Sequence, residues 1–434
     1  MLLPWNVFIT ASEYFANRFS GSIYEETFQS YFSTYFTITN MLCFLYILWR
    51  QSKSTSSKGT IDVLYPVLLN TIIFGIMSMT VEFDIGGSDY FWFILMLLVI
   101  TGATTSFFQV AVFAEASQFP PQYVQAVMSG QGIAGVAVAL SSILSAFAAT
   151  PETTNGKGGD DDDESSTNRS AFIYFMSALL VTVAAFIGRI ILSQQPFYRY
   201  QLQQEKPLFS SDNHEEGSER QEDNDGNDDD DSLHGNTSSK GLNYILQQSY
   251  GLIFAVAYVF IVTLMVFPTI TSLIKSVVRH PPSVQNHFLN TIPSRFYDDD
   301  VFIAFHFLLF NVGDWIGRFL PLWSLFRTFN TSNLVLLSVL RTLFIPLFLI
   351  CNVVISTERL MPVLIQSDIL YFIIILIFSI SNGWIGSLTM MAAPQQSFIR
   401  TSQQKSKIGS IMSFSLVVGL AIGGTLSFWV RSLI

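Results

Sequence analysis

The stretch FHFLLFNVGDWIGR, residues 305–318, sets an acid and a base inside an otherwise apolar run. Phe307, Asn311, Asp314 and Arg318 follow one another at spacings of four, three and four, so a helix stacks them on one face. Gly313 and Gly317 form a small-xxx-small pair on another face, suited to close contact with a second helix. A charge at the centre of a bilayer costs about 2.5–3.5 kcal/mol on insertion scales unless it is paired or wet. One face is therefore expected to be polar and functional and the other to pack. An Asp314–Arg318 ion pair that locks two helices and a pair that lines a water-filled path both answer to this pattern. Intramembrane charge defaults to the second, and both can hold at different stages of a cycle.

The surrounding run, 301–325, has roughly the 20 residues that a helix needs to cross hydrocarbon. Similar runs lie at 1–18, 28–50, 61–80, 90–113, 123–149, 171–193, 246–274, 332–355, 369–392 and 408–432, making about eleven spans. Lipid offers no hydrogen-bond partners, so each span must satisfy its own amides, as a helix does. A barrel would show short alternating segments instead. Composition agrees: of 434 residues 50% are hydrophobic and 12% charged, where a soluble domain carries roughly 25% charged residues. The expected class is an all-α integral membrane protein.

The net charge of −10 is a property of loops. Residues 201–240 hold 12 acidic against three basic residues, and 150–170 hold six against two. Both tracts read as solvated, disordered segments. The stretch 194–245 divides the chain into a bundle of six spans (1–193) and one of five (246–434). No basic stripe exists to bind nucleic acid. If the 50–60 loop is cytoplasmic, Arg50, Lys53, Lys58, Arg327, Arg400, Lys405 and Lys407 fall on that side, which also places the 194–245 linker inside. Lys275, Arg279 and Arg295, in the 275–300 loop, break the pattern.

Other polar residues fall within the spans. Arg341 has no acid at helical spacing, so its partner must come from another helix; Asp314 is the one acid read as deeply placed. Arg189 sits near a span end and is expected to snorkel. His306 reads as packing rather than a proton relay. Gln109 either bonds a neighbouring helix or faces a cavity, and position alone leaves these even. Gly130, Gly132 and Gly135 in the fifth span, and Gly419 and Gly423 in the eleventh, read as packing surfaces. Pro4, Pro66, Pro268, Pro346 and Pro394 bend their spans. Cys43 and Cys351 lie in apolar runs and imply no disulfide framework. No HExxH, GxSxG or phosphate loop occurs, so neither an enzyme, a metal, a cofactor nor direct ATP drive is expected. Residues 1–15 lack the basic leader of a cleavable signal.

Six ordered motifs resemble the equilibrative nucleoside transporters. They are LLPWN at 2–6 with FITA at 8–11, SGQGIAG at 129–135, and NVGDWIGR at 311–318. RTLFIPL at 341–347 follows with Cys351 and Asn352, then Ser-Asn-Gly at 381–383 with Pro394, and GLAIG at 419–423 with Ser427 and Phe428. The resemblance spans nearly the whole chain. It implies a fold related to the major facilitator superfamily, eleven helices arranged six plus five, and facilitated movement of purine and pyrimidine nucleosides by alternating access. By matching position it implies that Leu2 and Trp5 border the ligand and that Gln109 meets the nucleobase. It further implies that Asp314 and Arg318 engage ribose and base edge beside Asn311, that Phe267 and Phe307 form an apolar wall, and that Leu420 lies nearby. The family's first helix usually extends well before its LLPWN motif, whereas here only Met1 precedes it, so a short first span is expected.

An ionised carboxylate accepting from two ribose hydroxyls suits this reading. The expected function is a uniporter whose substrates are nucleosides and whose setting is the bilayer, in a plasma, vacuolar or other internal membrane. A proton-coupled nucleoside or nucleobase transporter, with Asp314 or His306 titrating, is the alternative within the class. A receptor or scaffold that signals without transport, with the acidic linker as its docking element, is the alternative outside it.

Overall fold

The computed structural model describes residues 7–8, 11–25, 27–53, 62–83, 86–148, 160–203, 230–282, 295–354 and 362–432. The first half comprises α1 (Ser12–Arg18), α2 (Phe28–Lys53), α3 (Leu64–Thr80), α4 (Gly87–Ala116), α5 (Pro121–Ala148), α6 (Asp160–Gln194) and α7 (Pro196–Gln203). The second comprises α8 (Asp230–Val266), α9 (Asp299–Phe319), α10 (Thr331–Leu340), α11 (Phe344–Leu349), α12 (Asp368–Ala392) and α13 (Ser402–Ser432). Among the described residues nine helices are long and apolar enough to cross a membrane, and α3 adds a shorter apolar helix of 17 residues. The first expected span is described only in part: Val7 and Phe8 are helical, and the Ala11 amide bonds the Val7 carbonyl just before α1. Leu2 and Trp5 lie outside the described residues. So does 204–229, the middle of the expected linker, which is flanked by helix on both sides.

Two spans are less regular than their apolar length suggests. The run expected at 332–355 is α10, a 3-10 turn at Arg341–Leu343, and α11. Pro346 cannot donate to the Thr342 carbonyl, so the turn before it tightens. The run expected at 246–274 is α-helical to Val266 in α8, two residues before Pro268, and turns once more as a 3-10 helix at Thr271–Leu273. Beyond it Ile274 pairs in an isolated antiparallel bridge with Val353, which lies past α11.

Because successive spans cross in alternate directions, the turns at 117–120, 320–330 and 393–401 share one end of the bundle with α7 and the start of α8, on either side of the expected linker. This is called the linker end; the other is the far end. At the linker end one buried cluster draws on both halves: Phe113, Val124 and Met128 with Leu252, Ile408 and Met412 among its members. At the far end each half has its own. Phe15, Phe91 and Phe175 belong to the cluster of the first half, and Ile270, Phe348 and Tyr371 to that of the second.

Small residues set the close approaches, as expected where helices associate by packing rather than by escape from water. A Cβ at Gly317 would collide with the Ile380 carbonyl of α12, and one at Gly383 with the Asp314 carbonyl, so α9 and α12 touch backbone to backbone. Gly419 and Gly423 bring α13 equally close to Ala257 and Ile261 of α8. Gly130 differs from the packing role read for it: open space lies where its Cβ would be, and it lines a cavity.

The three bases that break the orientation bias each meet an acid at the far end. Lys275 pairs with Asp299, Arg279 with Asp298, and Arg295 with Asp300, at the start of α9. These pairs tie the segment after α8 to the α9 N-terminus, where acidic side chains also suit the helix dipole.

Candidate functional site

The face of α9 predicted from spacing exists, and its two ends differ. Toward the far end Phe307 is half-buried and meets Phe267 edge to face at 5.0 Å between ring centroids. Phe267 in turn stacks on Phe310 at 3.8 Å. One turn on, the Asn311 amide donates to the Phe307 carbonyl at 2.8 Å, and its Oδ1 abuts Gly135 of α5. Toward the linker end Asp314 and Arg318 are 7% and 6% exposed, so here the face is closed.

What closes it is a set of charge-assisted bonds. Arg318 Nε donates to Asp314 Oδ2 at 2.8 Å, and Nη2 lies 2.8 Å from the same oxygen. Arg318 Nη1 donates to the Met128 carbonyl of α5 at 2.6 Å, and Gln125 Nε2 of α5 donates to the Arg318 carbonyl at 3.0 Å. Gly132 makes room for this: a Cβ there would lie 3.0 Å from the Trp315 ring and 3.2 Å from Arg318 Cδ. The ion pair therefore belongs to one half and its remaining bonds reach into the other. Of the two sequence readings, this geometry shows the one in which the pair locks two helices.

Behind the pair stands a second buried guanidinium. Arg341, 1% exposed, donates to the Phe378 carbonyl at 2.9 Å, to Ser381 Oγ, and to Thr263 Oγ1 at 2.8 Å, with the Phe378 ring 4.6 Å from its Cζ. The Thr263 hydroxyl shares its proton between Asn382 Oδ1 and the Val259 carbonyl, each at 2.7 Å, and Asn382 Nδ2 donates to Asp314 Oδ1 at 2.7 Å. Arg341 thus finds its partners on other helices, as its position required, and they are neutral groups that lead to Asp314 rather than Asp314 itself. Thr263 was not singled out from the sequence, and Asn382 only as part of the Ser-Asn-Gly motif, without a role. The only signal was polarity inside apolar runs, and the partners lie 68 and 78 residues from Asp314 and Arg341.

Arg189 overturns its expectation. It does not snorkel but makes a two-pronged pair with Glu115 of α4, at 2.5 and 2.7 Å, with the Tyr198 ring 5.2 Å from its Cζ. A second deeply placed acid therefore exists. Burial, with the Glu115 charge adding, raises the Tyr198 hydroxyl well above its ordinary pKa. This cluster borders a cavity of about 670 Å³ at the linker end of the first half. A neighbouring cavity of about 440 Å³ is bordered by Asn70, Thr105, Phe108, Gly130 and Tyr174. Neither is lined by Asp314 or Arg318.

Of the remaining expected residues, Gln109 is buried in α4 at 5% exposure, and Leu420 is half-buried against the shared cluster. His306 is fully buried, its ring edge-on to Phe307 and Tyr371, which fits packing. Among the described residues no group of three or more His, Cys, Asp or Glu could hold a metal.

Comparison with known proteins places this geometry in context. Residues 95–432 match the family model described as nucleoside transporter. The chain is 27% identical to human equilibrative nucleoside transporter 2, covering all of this chain and 94% of the relative. It is 25% identical to human equilibrative nucleoside transporter 1 with the same coverage, and 25% identical to the nucleoside transporter FUN26 of Saccharomyces cerevisiae, over 99% of this chain and 81% of that one. Among solved structures, the major facilitator superfamily transporter FucP in its outward conformation superposes with a TM-score of 0.53 at 14% identity, covering all of this chain and 90% of that one. That likeness concerns the fold.

Proposed function

The chain belongs to the nucleoside transporter family, and on that premise we propose that it is a multi-pass membrane transporter carrying purine and pyrimidine nucleosides passively, by alternating access between its two halves. The observation that carries the reading is the Asp314–Arg318 pair, held within the second half yet bonded through Arg318 to α5 of the first. A solute that competes for these groups acts directly on the contact between the halves.

In this reading the substrate lies along the α9 face. Phe267 and Phe307 offer flat apolar walls to the base, as aromatic faces do. Asp314 accepts from ribose hydroxyls, and Arg318 and Asn311 meet donors and acceptors at the base edge. Gln109 reads the base from the opposite half, with Leu420 near it, and Leu2 and Trp5 complete the border from the first span. The 194–245 segment faces the cytoplasm, and the membrane is the plasma membrane or an internal one such as that of a vacuole. No coupling ion is part of the cycle, so the nucleoside gradient alone sets direction.

The test is uptake of labelled uridine and adenosine into proteoliposomes. The intact protein should give saturable flux, and Asp314→Ala should fall to the background of empty vesicles. An intact protein without saturable flux would sink the reading. Accumulation above the external concentration under an imposed pH gradient would replace uniport with proton coupling.

A further inference from the structure

Asp314 is reached by two guanidinium groups, and only one of them touches it. The other, Arg341, acts through Asn382, which it reaches directly and by way of Thr263. Arg341 Nη2 donates to Thr263 Oγ1 at 2.8 Å, the Thr263 hydroxyl shares its one proton between Asn382 Oδ1 and the Val259 carbonyl, each at 2.7 Å, and Asn382 Nδ2 donates to Asp314 Oδ1 at 2.7 Å. These residues are all at least nine-tenths buried. Hydrogen bonds in series polarise one another, and in a low dielectric each strengthens the next. A cation at one end and an anion at the other orient the Asn382 amide between them.

We propose that Asn382 is a positioning residue for transport: its amide, oriented by Thr263 and Arg341, holds the Asp314 carboxylate for the nucleoside while Arg318 is free to leave. This rests on the reading that Asp314 meets substrate. Arg318 bonds across to the Met128 carbonyl, so it must be disturbed whenever α5 and α9 part. Asn382, Thr263 and Arg341 all lie in the second half and need not be. Asn382 lies beside Gly383, where α12 meets the α9 backbone, so its distance from Asp314 is set by the tightest contact of that half. Arg341 also reaches Asn382 directly, at 3.4 Å, but is kept one residue away from Asp314. Asn382 thus brings a second positive charge to bear on the carboxylate without a salt bridge that would occupy it.

The experiment is nucleoside flux in proteoliposomes with the intact chain and Asn382→Asp, measured from pH 5 to 8 with the same pH on both sides. The groups facing Asp314 are Arg318 on α9, Arg341 through Asn382 and Thr263, and the Met128 carbonyl and Gln125 amide that α5 brings to Arg318; His306 packs two turns away. Asn382→Asp sets a second carboxylate against Asp314, and two carboxylates so close share a proton. At low pH the shared proton restores a donor to Asp314; as pH rises it is lost and the two oxygens repel. KM of the variant should therefore rise by about tenfold across the range, the scale of one charge-assisted hydrogen bond. Its kcat should hold within a few-fold, and KM of the intact chain should change much less.

Thr263→Val keeps Asn382 and cuts the chain one step back, giving a test that survives if Asn382→Asp does not fold; its KM should rise a few-fold. The exchange Asp314→Asn with Asn382→Asp restores an amide–carboxylate bond with its direction reversed. It should recover thermal stability but not flux, whereas a purely structural role predicts recovery of both. A pH-flat KM in Asn382→Asp, loss confined to kcat, or recovered flux in the exchange would overturn the proposal. Absence of saturable flux in the intact chain, or normal flux in Asp314→Ala, would instead overturn the reading it rests on.

Discussion

The two ends of the bundle are built differently. At the linker end Phe113, Val124 and Met128 share a core with Ile408 and Met412, and Arg318 bonds across from α9 to α5. At the far end the aromatic core around Phe15, Phe91 and Phe175 and that around Phe348 and Tyr371 each close within one half. The far-end surfaces are thus complete without each other, while the linker-end surfaces are completed by contact. In a bilayer apolar surface gains little by leaving lipid, so such contacts rest on packing and polar bonds. That suits a contact made and broken in every cycle, because its net free energy stays small enough for ligand to bias it.

The largest effect should come from the polar bonds. Asp314→Ala leaves the buried Arg318 guanidinium without its acid and Asn382 without its acceptor, and removing one partner of a buried pair costs about 3–5 kcal/mol. The fall in thermal stability in detergent should be accompanied by loss of flux; a variant with unchanged melting would break the claim that this pair holds the linker end. Next is Gly132→Val, which pushes on the Trp315 ring and Arg318 without entering either far-end core. Overpacking of this kind costs about 1–3 kcal/mol, and labelling of cysteines introduced at linker-end positions should accelerate while far-end positions keep their rates.

A matched pair of cavities sharpens the contrast. Phe113→Ala and Phe175→Ala should each cost about 2 kcal/mol, the cavity term for roughly 100 Å³ of side chain at about 24 cal/mol per Å³, with little transfer term where lipid replaces water. Only Phe113→Ala lies in the core that both halves share, so only it should raise linker-end labelling. Equal labelling in the two variants would remove the distinction between the ends. The smallest effect is expected from Arg189→Lys, which keeps the charge beside Glu115 but loses the two-pronged geometry. A loss of about 1 kcal/mol in stability with transport retained is predicted; abolished transport would move this cluster from support into the pathway.

Much of this was legible in the sequence, for particular reasons. The α9 face appeared because a helix of known period must stack Phe307, Asn311, Asp314 and Arg318, whatever surrounds it. Gly313 and Gly317 were legible as candidates for close packing because a backbone contact needs the absent Cβ on one side, and a Cβ at either would meet α12. Contacts between distant segments were not legible. Glu115 fell two residues beyond the expected span 90–113, so it read as loop, whereas α4 continues to Ala116 and carries it inside. Arg189 consequently had no visible partner and was expected to reach for solvent. Gly130 shared the composition of Gly132 and Gly135, but the three point in different directions, and only the latter two meet α9. Asn382 stood out only as part of Ser-Asn-Gly, since nothing local reveals a hydrogen bond to a carboxylate 68 residues away.

The most direct test of alternation between the two ends is a pair of spin-label distances in liposomes, each taken with and without saturating uridine. One pair joins Tyr123 on α5 to Leu325 after α9 at the linker end; the other joins Ile23 to Ile369 at the far end, and all four side chains are exposed. Uridine should populate a second state in which the linker-end distance lengthens as the far-end distance shortens. Saturable flux accompanied by single, unchanged distances at both ends would contradict the account.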